Sequence, residues 1–246
     1  MGISKASKNR KKITKEQTPA EDWKFVEQVL GSRHAHTVYL WGPPSVGKTF
    51  VSVRSGLGDR KVFVTTLTPD TSAAELRGHF VPKGNEFVWQ DGIFVKAMRL
   101  GARVVINEIS YASSDVLAIL HPVLESRETA QLTLPNLETV YPAEGFQVIC
   151  TDNLSMEQLP GALQDRFKSV MHVTEPHPDA LARLPEDLRE AAQRTFDLEA
   201  DRAVSLRGWL AVHAFEEDFG REFALRAVFG RERGEQLFRA SLLGSA

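Results

Sequence analysis

Between Gly42 and Thr49 the chain reads Gly42-Pro43-Pro44-Ser45-Val46-Gly47-Lys48-Thr49, a spacing whose chemistry is phosphate binding. Glycine at each end lets the backbone curl until successive N–H groups face inward, forming a concavity for anionic oxygens. Lys48 adds a full positive charge for the β- and γ-phosphates, and the Thr49 hydroxyl is a ligand for Mg²⁺. The apolar run Thr37 to Trp41 precedes the loop, and a helical stretch running through Phe50 follows it with its positive dipole end toward the anion. Strand, loop and helix in that order predict that residues 42–50 bind a nucleoside triphosphate, taken here as ATP, with Mg²⁺.

Cleaving the bound triphosphate needs a metal anchor and a base, and a second segment offers both. Val104-Val105-Ile106 is a continuous apolar run of the kind found in strands covered on both faces, and it exits in Asn107-Glu108. Glu108 is placed to polarise the attacking water as general base. Asn107 stands where an aspartate normally holds the metal's water shell. Its amide accepts a hydrogen bond from metal-bound water but brings no negative charge, so weakened Mg²⁺ affinity and slowed turnover are expected.

These segments need a scaffold. Strand-like runs at Thr37–Trp41, 61–66, 104–106, 147–150 and 170–173 alternate with helical stretches at 20–30, 50–55 and from Ala73. Such alternation implies parallel βαβ units and an α/β fold with helices on both faces of the sheet. After Pro176 the strands stop, and 181–199, 206–219 and 222–243 read as helices, the last interrupted by Gly230 and Gly234. The expected division is a basic tail at 1–18, an α/β core at 19–176 and an all-α unit at 177–246.

Composition narrows the rest. With 246 residues, 42% of them hydrophobic, the chain can build a real core, and its one cysteine, Cys150, excludes an intrachain disulfide or a Cys-based zinc site. His34, His36, His79 and His121 lack metal-ligand spacing. The net charge of −2 conceals six cations before the first acid: Lys5, Lys8, Arg10, Lys11, Lys12 and Lys15 precede Glu16. That tail has too little to bury to offset the entropy of ordering, so a solvated arm is expected, with DNA contact as the alternative. No apolar window approaches the ~20 residues that span a bilayer, so a soluble, cytoplasmic protein without membrane attachment is expected.

With these motifs in place, the chain resembles the AAA+ ATPases, and more narrowly their MoxR-type or dynein-related branch, across most of residues 20–215. Members of that branch often read Asp-Glu-Ile-Asn-Arg-Ala where this chain has Asn107-Glu108-Ile109-Ser110-Tyr111-Ala112. Thr151-Asp152-Asn153 is similar to the family's sensor 1, which implies that Asn153 orients the lytic water. Asp165-Arg166-Phe167, after Leu159-Pro160-Gly161-Ala162-Leu163, resembles the segment that supplies an arginine finger. Ser205-Leu206-Arg207 is similar to sensor 2 and makes the all-α unit look like the family's lid. Residues 79–92 and 127–142 resemble two β-hairpin inserts, the first presenting aromatics such as Phe80, Phe87 and Trp89 to a ring pore or a partner.

The resemblance implies a P-loop αβα core with two hairpin inserts and a helical lid, assembled into a homo-oligomeric ring, a hexamer by likeness. ATP hydrolysis there would remodel a client or adaptor protein, one that in this branch often carries a von Willebrand A domain. Two alternatives stand beside it. One is an ATP-dependent scaffold with little hydrolysis, motivated by Asn107; the other is a DNA-associated AAA+ motor of a mobile-element or defence system, motivated by the basic tail and the hairpins.

Overall fold

The computed structural model describes residues 20–196 and 204–243; the basic N-terminal segment and the end of the expected 181–199 helix lie outside them. In chain order the elements are α1 (Trp23–Gly31), β1 (Thr37–Trp41), α2 (Lys48–Ser52), β2 (Val62–Thr66), α3 (Ala73–Arg77), β3 (Gly78–Lys83), β4 (Glu86–Asp91), α4 (Ile93–Leu100) and β5 (Arg103–Asn107). There follow α5 (Ser114–Val123), β6 (Leu132–Thr133), β7 (Thr139–Val140), β8 (Gln147–Asp152), α6 (Gly161–Gln164) and β9 (Ser169–His172). Helices α7 (Pro178–Leu181), α8 (Glu186–Phe196), α9 (Leu206–Phe219), α10 (Arg221–Phe229) and α11 (Arg231–Leu243) complete the described chain.

Five strands form one parallel sheet in the order β2-β5-β8-β1-β9. Alternate side chains leave a strand on opposite faces, and β1 shows it. Val38 and Leu40 pack with Trp23, Val26 and Leu30 of α1 and Val51 of α2, whereas Tyr39 joins Phe94 and Met98 of α4 and Leu120 of α5. Helices therefore cover both faces, and β1, β5 and β8 are buried along almost their whole length. Full burial of one such side chain contributes about 1.5–3 kcal/mol. Cys150 is one of them, and burial pushes its thiol up, as suits a packing residue.

The helical region divides differently from the expectation. The stretch from Leu181 is two helices, because Pro185 lacks the N–H that a continuous helix would need and instead leads into α8. The stretch 222–243 breaks at Gly230 but not at Gly234, which lies within α11. A Cβ on Gly234 would come within 2.6 Å of the Arg226 Cα, so glycine there lets α10 and α11 pack backbone to backbone. These helices gather a cluster of their own around Leu188, Leu206, Trp209, Val212 and Leu225. Of the two inserts, residues 78–91 pair as a full antiparallel hairpin, while 132–140 pairs only at Leu132–Val140 and Thr133–Thr139. Phe80 and Phe87 are exposed, Phe87 at 74%, whereas Trp89 turns inward and donates its Nε1–H to Asp91.

One buried side chain went unread in the sequence. Arg103 opens β5 at 0% exposure, and among the described residues no carboxylate pairs with it. Its guanidinium donates to the carbonyls of Leu30, Ser52 and Ser55 at 2.9, 2.8 and 2.7 Å and to Gln147 Oε1 at 2.7 Å. Those carbonyls belong to the ends of α1 and α2, where helix termini leave acceptors unpaired and the dipole favours a cation. Burial, with help from nearby Arg60, lowers the guanidinium to about 10. Arg103→Met is expected to strand the carbonyls and cost about 3–5 kcal/mol. At this chain length that is a Tm lower by roughly 6–20 °C. A melting curve within about 2 °C of the parent would refute this account of how α1 and α2 are tied to the sheet.

Candidate nucleotide site

Ligands of open parallel sheets sit beyond the carboxyl ends of the strands, and the candidate residues gather there. The loop between β1 and α2 carries Ser45 in the left-handed region, with Gly42 and Gly47 also at positive φ. A Cβ on Gly42 would come within 1.8 Å of the Val173 carbonyl oxygen, and one on Gly47 within 2.7 Å of the His177 Cβ. The loop is thus clamped from behind by the end of β9 and the turn into α7, which fixes its inward-facing amides.

Lys48 is 8% exposed, and its Nζ donates to the Gly42 and Pro43 carbonyls at 2.9 and 2.7 Å and to Asn153 Oδ1 at 2.9 Å. Asn153 also donates from Nδ2 to both carboxylate oxygens of Glu108, at 3.4 Å each. One amide side chain therefore joins the lysine of the loop to the carboxylate at the end of β5. The two strands that lead to these residues are not neighbours: β8 runs between β1 and β5 and supplies the bridge. Glu108 is itself left-handed, with φ 58°, and its N–H donates to the Thr151 carbonyl at 2.8 Å. A non-glycine residue held there stores strain of about 1–3 kcal/mol, which the surrounding bonds must sustain to aim the side chain.

Two further residues complete the edge. Asn107 Oδ1 accepts from the Thr49 and Thr151 hydroxyls at 2.7 and 2.8 Å, and its Nδ2 donates to Thr66 Oγ1 at 3.3 Å. Asp152, buried behind the edge, accepts from the amides of Ser110, Asn153 and Leu154, pinning the turns after β5 and β8 together. In front lies a cavity of about 480 Å³, lined on the sheet side by Pro44, Ser45, Gly47 to Phe50, Asn107, Glu108 and Asn153 and on the helical side by Ala180, Leu206, Arg207 and Leu210. Its volume suits a nucleotide. The Thr49 hydroxyl, the Asn107 amide oxygen and Glu108 offer the oxygen donors a hard cation prefers, and they fit Mg²⁺ completed by phosphate and water.

The remaining candidates fall outside this group or at its rim. Arg166 does not line the cavity. At 26% side-chain exposure it pairs with Glu125 at 2.7 Å, not with Asp165, and donates to the carbonyls of His121 and Ala162. Arg207 is the second residue of α9, two after its Ser205 cap, and reaches the cavity. His177, unread in the sequence, packs between the Trp23 and Phe50 rings; its Nε2 faces Glu27 at 3.2 Å and its Nδ1 accepts the Asp179 amide at 3.2 Å. Glu27, His177 and Asp179 bring potential metal ligands within 4.8 Å, but both ring nitrogens are already engaged in holding α7 against α1.

Burial pushes the Lys48 ammonium down to about 8, against the opposing pull of Glu108 and Asp152. A triphosphate favours the charged form and raises it again. Binding therefore takes up a proton wherever the free amine is neutral, which is above about pH 8, and takes up none below. Calorimetry in buffers of different ionisation enthalpy is expected to give near zero protons per nucleotide at about pH 7 and close to one at about pH 9, with affinity falling up to tenfold per unit above 8. Affinity flat to about pH 9.5 would contradict the contact between Lys48 and phosphate.

Comparison with known proteins agrees with this geometry. Residues 37–167 match the model of the AAA domain (dynein-related subfamily). The chain is 31% identical over 213 residues to Protein NorQ of Paracoccus denitrificans, covering 82% of this chain and 76% of that protein. It is 27% identical over 128 residues to the denitrification regulatory protein NirQ of Pseudomonas aeruginosa, 52% of this chain and 49% of the relative. It is also 27% identical over 159 residues to midasin of Dictyostelium discoideum, 60% of this chain but 3% of that protein. Among the described residues no helix is long and apolar enough to cross a membrane.

Proposed function

The chain belongs to the dynein-related AAA+ family, in its MoxR-type branch, and on that premise we propose that it hydrolyses ATP at subunit interfaces of a homo-oligomeric ring and uses the energy to remodel or activate a partner protein. The observation that carries the reading is the bridge from Lys48 through Asn153 to Glu108 at the mouth of the phosphate loop. The Lys48 ammonium and the Glu108 carboxylate line the same cavity, which supports the one as charge for the phosphates and the other as base for water.

In this reading the loop amides and Lys48 hold the phosphates, Asn153 orients water, and Glu108 takes its proton during in-line attack. Magnesium, when bound, supplies charge to the phosphoryl oxygens; Thr49 and, through water, Asn107 would hold it. Residues 177–246 act as a lid over the core at 19–176, with Arg207 coupling closure to the phosphate state. Arg166 completes a neighbour's site. The printed name of NirQ, a denitrification regulatory protein, supports a regulatory role. The family resemblance makes the partner a client or adaptor that carries a von Willebrand A domain, with both in the cytoplasm. Asn107 favours a second reading, a scaffold that assembles with ATP and barely cleaves it.

The test is phosphate release from ATP by the purified protein with Mg²⁺, alongside its assembly size. Turnover that disappears in Lys48→Ala supports the ATPase. Tight binding with no phosphate above background in the assembled protein would leave the scaffold standing instead.

A further inference from the structure

The helical wall of the cavity carries a cation that none of the recognised motifs contains. Arg183, just beyond α7, lines the same hollow as Lys48, Thr49 and Glu108, as does Arg207. Most arginines of the helical region are engaged: Arg194 pairs with Glu190, Arg221 with Asp187 and Glu216, and Arg226 with Glu222. Arg183 is exposed, and among the described residues no carboxylate lies within ion-pairing distance of it.

The charges on the wall of this cavity are therefore lopsided. Among the described residues that line it, Lys48, Arg183 and Arg207 are cationic and only Glu108 is anionic. Asp152 lies behind the edge with its carboxylate committed to three backbone amides. Asn107, where a carboxylate would repel a bare triphosphate and require a metal between them, is neutral and presents an oxygen already shared by two hydroxyls. A triphosphate without magnesium carries two more negative charges than its magnesium complex, and it is the form this surplus of cations favours most.

We propose that Arg183 is a phosphate-binding residue and that, together with Lys48, Arg207 and the neutral Asn107, it lets the site capture a nucleoside triphosphate free of magnesium, so that the metal is needed for cleavage but not for binding. The proposal rests on the ATP-hydrolysing reading of this site. Because Arg183 has no carboxylate partner to lose, its replacement leaves the ligand-free fold intact, and melting of Arg183→Gln without nucleotide is expected to match the parent.

Equilibrium binding of ATP, with Mg²⁺ or with EDTA, separates the possibilities. The parent is expected to bind ATP in EDTA within about threefold of its affinity in Mg²⁺. Arg183→Gln should weaken binding in EDTA by roughly tenfold or more and in Mg²⁺ by about two- to threefold, Arg183→Lys should recover most of the loss, and Asn107→Asp should widen the gap between the two conditions roughly tenfold. A parent that binds in Mg²⁺ but loses more than about thirtyfold in EDTA, or an Arg183→Gln variant indistinguishable from the parent in EDTA, overturns the proposal and leaves the ATPase reading intact. No binding under either condition overturns that reading as well.

Discussion

Glu108→Gln is expected to slow phosphate release by roughly 10²–10⁴-fold while leaving ATP bound as tightly as in the parent or more so. The substitution is nearly isosteric. The amide oxygen can still accept from Asn153 Nδ2, and the backbone bond from residue 108 to the Thr151 carbonyl does not involve the side chain. What disappears is the only carboxylate that faces the cavity among the described residues, and with it the acceptor for the proton of the attacking water. A second, independent signature follows from electrostatics. Glu108 helps to keep the Lys48 ammonium charged, so its neutralisation lowers that group below about 8, and the onset of proton uptake on nucleotide binding moves to lower pH. Single-turnover phosphate release together with calorimetry checks both; hydrolysis at the parental rate would remove Glu108 from the base position.

The phosphate loop and the strand ending in Asn107-Glu108 were legible because their information is local. A Gly-Lys-Thr after four intervening residues dictates a backbone curl whatever surrounds it, and an apolar run with a polar exit marks a buried strand by itself. What was not legible depends on pairing between distant segments. Nothing in the run Gln147 to Asp152 says that it lies between β1 and β5, yet that position is what lets Asn153 touch Lys48 and Glu108 together. Arg103 reads as an odd cation at the head of an apolar strand until the ends of α1 and α2 are seen to converge on it. His177 and Arg183 belong to no motif, and their positions depend on how α7 folds back over the loop. The length of α11 was misjudged for a related reason: Gly234 looks like a helix breaker in one dimension and is a packing contact in three.

Arg166→Ala is expected to reduce turnover in the assembled protein by about 10³–10⁵-fold, with ATP binding by the separated subunit unchanged. The geometry behind this is exclusion. Arg166 lies away from the cavity of its own chain, held to Glu125 and to the carbonyls of His121 and Ala162, so it has no route to its own γ-phosphate through the residues that line that site. The Glu125 pair is partly exposed, at 26% and 41% of the two side chains, and an ion pair near the surface is worth about 0–1 kcal/mol, a small loss when exchanged for a neighbour's phosphate. Mixing separates action between subunits from action within one. Glu108→Gln subunits keep the arginine and lack the base; Arg166→Ala subunits keep the base and lack the arginine. Neither assembly alone turns over, but in a random equal mixture about one quarter of the interfaces unite an intact base with an intact arginine, and activity should return in that proportion. An arginine acting within its own subunit would restore nothing on mixing. Equal assembly size and melting temperature for both variants show that the recovery reports the shared site and not rescue of a damaged fold.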